Sequence, residues 1–286
     1  MFTKRDDGMG LVLLPFDIGA LLLAALFLRR SGVRGPAAIP AFIGLWLCGF
    51  AAIFLAFYFV ILLISFTVDM KKPFPMEDHP FYRAVVITVI GQVCRFSRVR
   101  IHFDGGDKLP KGRFLIVSNH RSAYDPIVTV WALRKTPTAF ITKPENHRIP
   151  LAGPLIYQTN FLPIDRETPR EAIKTVNAAA ALLRKDVVSV GVYPEGTRNR
   201  APSEGLLPFH NGVFKIAQKA DVPLVVACIS GTERIARNLP WRHTDVVLHL
   251  CGTIPADALG TSTGDLSLRV REMIEAGLRE SESRPR

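Results

Sequence analysis

His120 and Asp125 stand five residues apart where the chain changes character abruptly. Phe114, Leu115, Ile116 and Val117 are apolar and read as a buried strand. Ser118-Asn119-His120-Arg121-Ser122-Ala123-Tyr124-Asp125-Pro126 follows at once. In α/β sheets, ligand sites gather at such carboxyl ends of strands. If both residues lie on the turn into a helix over 126–134, the carboxylate reaches one imidazole nitrogen. It would then fix the tautomer and stabilise the imidazolium formed as the other nitrogen takes a proton. This is the logic of a serine-protease triad, with the nucleophilic hydroxyl supplied by the substrate. A lone pair at this spacing is more often a hydrogen-bonded structural histidine, so its weight depends on what accompanies it.

Two further stretches repeat the theme. Val187-Val188-Ser189-Val190-Gly191-Val192 is strand-like and ends in Tyr193-Pro194-Glu195-Gly196-Thr197-Arg198-Asn199-Arg200. Gly196 permits close backbone approach, Thr197 offers a hydroxyl, and Arg198 presents a planar fork suited to phosphate oxygens. Asn160-Phe161-Leu162-Pro163-Ile164-Asp165-Arg166 again closes an apolar run with a cation. Read separately, these are a surface turn with solvated arginines and a local Asp165–Arg166 ion pair. Three strand ends that all deliver polar groups weigh against chance.

The elements that must position these residues follow from periodicity. Short apolar runs predict strands at 99–103, 113–118, 138–142, 160–164, 187–193, 223–229 and 245–251. Helical patterns occupy 81–96, 126–134, 169–185, 211–220 and 265–280. In the third helix Pro169 sits in the first turn, and Ala172, Ile173, Val176, Ala179, Ala180 and Leu183 make one apolar face. Alternating strands and helices predict an α/β fold, a mostly parallel mixed sheet flanked by helices. The tail from residue 280 reads as disordered.

Residues 39–68 contain no charge, a run long enough for a helix that crosses a bilayer core. The earlier run at 11–28 is interrupted by Pro15 and Asp17, and Gly35-Pro36 separates the two. Together they predict a hydrophobic helical hairpin over residues 1–72, ahead of a globular domain at 73–286. Basic residues flank both the loop and the far ends, so charge gives no orientation. Two full crossings and a hairpin dipping into one leaflet both fit.

Lys and Arg number 36 against 25 Asp and Glu, a formal charge of +11. Next to a membrane segment, such an excess suits anionic lipid or phosphorylated substrates. The basic residues are scattered, with no aromatic-interleaved stripe, which argues against nucleic acid. Four widely spaced cysteines (Cys48, Cys94, Cys228, Cys251) read as buried free thiols.

Asn-His-Arg-Ser-Ala-Tyr-Asp at 119–125, Phe-Leu-Pro-Ile-Asp-Arg at 161–166, Tyr-Pro-Glu-Gly-Thr-Arg at 193–198 and Val-Pro-Leu-Val-Val at 222–226 come in an informative order. They resemble the four blocks of the 1-acyl-glycerol-3-phosphate acyltransferase family, a resemblance that covers residues 80–255. Tyr193 stands where Phe is usual, Asn160 where Gly often sits, and Arg121 where Gln is frequent. The resemblance implies an acyltransferase domain with His120 as general base and Asp125 as its partner. Glu195, Gly196, Thr197 and Arg198 would shape the acceptor site, with Arg166 and Arg198 on the phosphate. It also implies a lysophospholipid acceptor, an acyl-CoA or acyl carrier protein donor, no metal or cofactor, and a membrane location with the domain on the cytoplasmic face.

Three other readings compete. Gly260-Thr261-Ser262-Thr263-Gly264 matches a hydrolase nucleophile elbow, but no apolar strand precedes it. A phospholipid transacylase would use the same His and Asp. A basic membrane-anchored lipid-binding module explains the charge and the hairpin, yet gives His120 and Asp125 no task.

Overall fold

The structure, a computed structural model, describes residues 14–165 and 168–283. The chain divides into two compact units, residues 7–69 and 70–286. In the first, α1 (Leu14–Ser31) and α2 (Ala38–Phe66) form a hairpin. Gly32 and Gly35 take the positive φ of 71° and 72° that the connecting turn requires. Small residues let the helices approach: a Cβ on Gly49 would lie 3.5 Å from the Ala20 Cα. Phe16 adds edge-on contacts to Phe54 and Phe57. Ala20, Ala24 and Ile61 are buried, while many other apolar side chains face outward, with Leu26 63 % and Leu55 67 % exposed. Gly35–Phe66 is long and apolar enough to cross a membrane. Cys48 lies exposed on this helix rather than buried, because its face of the hairpin has no partner helix among the described residues.

The second unit is built on seven strands among the described residues: β1 (Val99–Asp104), β2 (Leu115–Ser118), β3 (Thr138–Thr142), β4 (Leu162–Pro163), β5 (Ser189–Val192), β6 (Leu224–Ser230) and β7 (Thr244–Ile254). Their order is β1-β7-β6-β2-β5-β3-β4. All neighbouring pairs are parallel except β6 with β7. The sheet is thus the expected mixed, mostly parallel one. Central strands of such a sheet are covered on both faces, so β2, β5 and β6 read as continuous apolar runs rather than alternating ones. Leu115, Val117, Leu224 and Val226 are fully buried.

Around the sheet lie α3 (Pro80–Phe96), α4 (Asp125–Ala132), α5 (Ala152–Gln158), α6 (Pro169–Arg184), α7 (Lys215–Ala220), α8 (Ile235–Asn238) and α9 (Thr263–Ser283). The buried Arg83 ties α3 to the sheet. It holds Asp78 at 2.8 Å and donates to the carbonyls of Thr138 and Thr159.

Several local expectations need correction. The helix at 211–220 opens as a 3-10 turn over Asn211–Phe214. The strand at 160–164 is two residues long, because Pro163 has no N–H to extend it at the sheet edge. The tail is helical through Ser283 as part of α9, whose Leu266, Val270 and Ile274 are buried. Ser262 is no nucleophile elbow: its Oγ accepts from the Asp265 N–H at 3.2 Å, a helix cap.

Candidate active site

The registers explain how the polar turns meet. Val117 of β2 pairs with Val192 of β5 on one side and Val226 of β6 on the other. The segments after these strands therefore emerge side by side at one end of the sheet. Asn119 extends the ladder with its side chain: Nδ2 donates to the Ile229 carbonyl at 2.9 Å, and Oδ1 accepts from the Ile229 N–H at 2.8 Å. The next residue, His120, is thereby fixed where the chain leaves the sheet.

His120 Nδ1 lies 2.8 Å from Asp125 Oδ2. The same carboxylate oxygen accepts the backbone N–H groups of Arg121 at 2.6 Å and Ser122 at 2.8 Å. The Thr232 hydroxyl donates to Oδ1. Asp125 is completely buried, and a buried carboxylate is tolerated only when donors replace its water. With Nδ1 engaged by the carboxylate, Nε2 is the nitrogen left for proton transfer.

Above the imidazole, the Tyr193 ring stacks at 4.2 Å with planes 9° apart, and Phe140 stacks on Tyr193 at 5.2 Å. Burial holds the Tyr193 phenol well above its ordinary range, with the Asp125 charge adding to the effect. It stays neutral beside the histidine.

Glu195 acts from behind. Its Oε1 accepts the His120 backbone N–H at 2.8 Å, and Oε2 accepts the Leu207 N–H at 3.0 Å. Burial raises its pKa above the usual carboxylate value, while those two N–H groups and the His120 charge oppose the rise. Glu195 faces a separate polar cavity of about 420 Å³ with Asn119, Arg121 and Asn199. It shapes the site by holding the backbone of the His120 turn.

The principal cavity, about 530 Å³, is walled by apolar residues of α3, α4, β3 and α5, among them Val86, Ile90, Ile127, Ile141 and Leu155. His120, Gly196, Thr197 and Arg198 line the same space. Gly196 has φ 69°, which lets the 193–198 turn fold back toward the imidazole. Thr197 and Arg198 are exposed on the cavity's rim. Arg166 lies outside the described residues. Lys143 and Arg200 also line the cavity; sequence reasoning read Arg200 only as a solvated arginine of the turn and passed over Lys143. The signal for Lys143 was present, since it directly follows strand β3 as the other site residues follow theirs. Thr232 was missed too, because its partnership with Asp125 spans 107 positions.

Asn160, at the position where glycine often sits, has φ 70°, a conformation asparagine tolerates better than most residues. Its side chain donates to the Pro75 carbonyl at 2.8 Å, tying down the start of this unit.

Residues 100–230 match a family model described as Acyltransferase. The chain is 31 % identical over 178 residues to the 1-acyl-sn-glycerol-3-phosphate acyltransferase of Haemophilus influenzae, covering 61 % of this chain and 72 % of that one. It is 36 % identical over 121 residues to the enzyme of that name from Salmonella typhimurium, covering 42 % and 48 %. Against the Escherichia coli relative identity is 34 % over 137 residues, covering 48 % and 54 %. The alignment thus spans about half the length of the enterobacterial relatives. A crystal structure of the 1-acyl-sn-glycerophosphate acyltransferase of Thermotoga maritima shares the fold, with a TM-score of 0.58, 23 % identity, and coverage of 80 % and 90 %. The extent of the Haemophilus match and the acyltransferase-family match at the site blocks lead to one conclusion: this chain belongs to the 1-acyl-sn-glycerol-3-phosphate acyltransferase family.

Proposed function

We propose that the protein transfers a fatty acyl group from an acyl thioester to the free hydroxyl of 1-acyl-glycerol-3-phosphate, producing phosphatidic acid. One observation carries this reading: an imidazole oriented by a buried carboxylate opens into the same apolar cavity as Arg198. Acyl chain and phosphate, the two ends of such an acceptor, find matching chemistry in one space.

In this mechanism Nε2 of His120 takes the proton of the acceptor hydroxyl as its oxygen attacks the thioester carbon. The carbon–sulfur bond then breaks, and the leaving thiolate recovers the proton from the imidazolium. Asp125 stabilises that imidazolium without itself accepting a proton. No acyl-enzyme forms. Arg198 holds the phosphate, together with Lys143 and Arg200 and with Arg166. Glu195 and Gly196 keep the turn in place, and Thr197 offers its hydroxyl at the rim. Residues 1–72 embed the chain in the bilayer, and 73–286 carry out the reaction at its cytoplasmic face, where thioester donors are available.

The test is an assay of the purified full chain in detergent. Labelled acyl-CoA or acyl carrier protein is offered with lysophosphatidic acid, monoacylglycerol and lysophosphatidylcholine, and products are identified by mass. Phosphatidic acid formed only with a thioester donor is expected. Transfer between phospholipids without a thioester contradicts the proposal. Arg198→Ala should raise KM for lysophosphatidic acid by about tenfold or more, the scale of a lost charge-assisted hydrogen bond. Monoacylglycerol should be affected far less, and equal losses on both acceptors would remove the phosphate assignment.

A further inference from the structure

Trp241 is 84 % exposed, the most exposed large apolar side chain of the molecule among the described residues. It lies in the loop between α8 and β7, flanked by Arg237 and Arg242, both exposed. This loop adjoins the corner between α3 and β1, where Phe96 is 42 % exposed between the exposed Arg95 and Arg98. The two segments are joined: Arg98 donates to His243 at 2.8 Å, and the Thr244 N–H donates to the Arg98 carbonyl at 3.1 Å. Two aromatic rings and four arginines therefore share one corner of the globular unit. The nearby acidic side chains are engaged elsewhere, Asp245 with His102 at 2.8 Å and Glu233 with Arg121 and Arg234 at 4.0 and 3.9 Å.

The topology gives this corner its place. β7 is antiparallel to β6, with Ser230 opposite Val247, so β7 begins at the end of the sheet where β6 finishes. β1 is parallel to β7, with Val99 beside Thr244. The starts of β1 and β7 therefore lie at the same end of the sheet as the turn that carries His120. The Ser97 hydroxyl meets the Tyr124 hydroxyl at 3.3 Å, linking the Phe96 corner to the His120–Asp125 turn.

We propose that this corner docks on an anionic bilayer, with Trp241 and Phe96 at the depth of the head groups and the arginines on lipid phosphates. Tryptophan prefers that interfacial depth, and arginine beside it adds attraction to anionic lipid. The contact belongs to the globular unit and holds whether or not the acyl-transfer reading is correct. Its consequence for that reading is that the end of the sheet carrying the His120 turn is held against the surface from which a lipid enters.

The experiment uses the full chain with Trp46→Phe in nanodiscs that contain brominated lipid. The remaining emission then comes from Trp131, which is 5 % exposed, and Trp241. In discs with anionic lipid, bromine quenching should fall at least twofold when Trp241→Ala is added. It should also fall about as far in the Arg237→Ala/Arg242→Ala double variant, or in zwitterionic discs. Emission from Trp241 that is unquenched in anionic discs overturns the proposal. A Trp241-dependent change of oligomeric state without quenching also overturns it and assigns the corner to a second copy of the chain. A separate arm compares Trp241→Ala with wild type on bilayer-presented and on water-soluble short-chain acceptors. A loss of about three- to tenfold confined to the bilayer substrate is expected. Equal rates on both acceptors, with quenching intact, would leave the docking standing and remove its role in acceptor delivery.

Discussion

Two buried carboxylates that both contact His120 carry different burdens. Asp125 is surrounded by donors and faces the histidine ring, whereas Glu195 has two backbone N–H partners and faces the histidine backbone. Burial outweighs those partners at Glu195 and raises its pKa above 4.5. The folded state therefore holds the Glu195 proton more firmly than the unfolded chain does. Its contribution to stability is fully present below 4.5 and is lost as pH rises through the raised folded value. Glu195→Gln removes that titration. As pH falls from 7 toward 4.5, the thermal stability of wild type should improve relative to Glu195→Gln. A gap that stays constant across the range would contradict this account of Glu195.

At the scale of elements, β5 carries the site through a position without a side chain. A Cβ on Gly191 would overlap the Phe140 ring, which supports Tyr193, which in turn stacks on His120. Gly191→Ala should cost about 1–3 kcal/mol of stability, the range for overpacking a tight core. It should also lower kcat more than it raises KM, because the displaced stack reaches the imidazole rather than the cavity rim. Denaturant titration and steady-state kinetics check both, and a variant with unchanged kcat would show that the stack does not position His120.

The same elements show what a single sequence reveals. Strands β2 and β5 were evident as apolar runs that turn polar at their ends, β6 as an apolar run, and the contrast at β2 and β5 also drew attention to His120, Asp125 and Gly196–Arg198. The short α5 was not evident. It is seven residues long, contains Gly153 and Pro154, and starts after Leu151 at φ 66°. Its packing against the neighbouring turn, rather than its own propensity, makes it helical: a Cβ on Gly153 would collide with the His147 backbone. Long-range partnerships such as Thr232 with Asp125, and Asn119 with Ile229, depend on strand order, which local patterns do not encode.

At the scale of the whole molecule, the chain combines an apolar hairpin with a basic α/β unit whose candidate site sits at one end of its sheet. Composition already pointed to both parts, since charge and apolarity are segregated along the chain. The convergence of His120 and Arg198 on one cavity came only with the fold, because 78 positions of chain and three sheet crossovers separate them. The central claim is that the imidazole at 120 moves the acceptor's proton. The most direct measurement is the single-turnover rate of His120→Ala with saturating lysophosphatidic acid and acyl thioester, alongside circular dichroism and acceptor binding. The rate should fall by about 10²- to 10⁴-fold, the usual contribution of a general base, with fold and binding retained. A folded, acceptor-binding His120→Ala protein that turns over within a few-fold of wild type would contradict that claim.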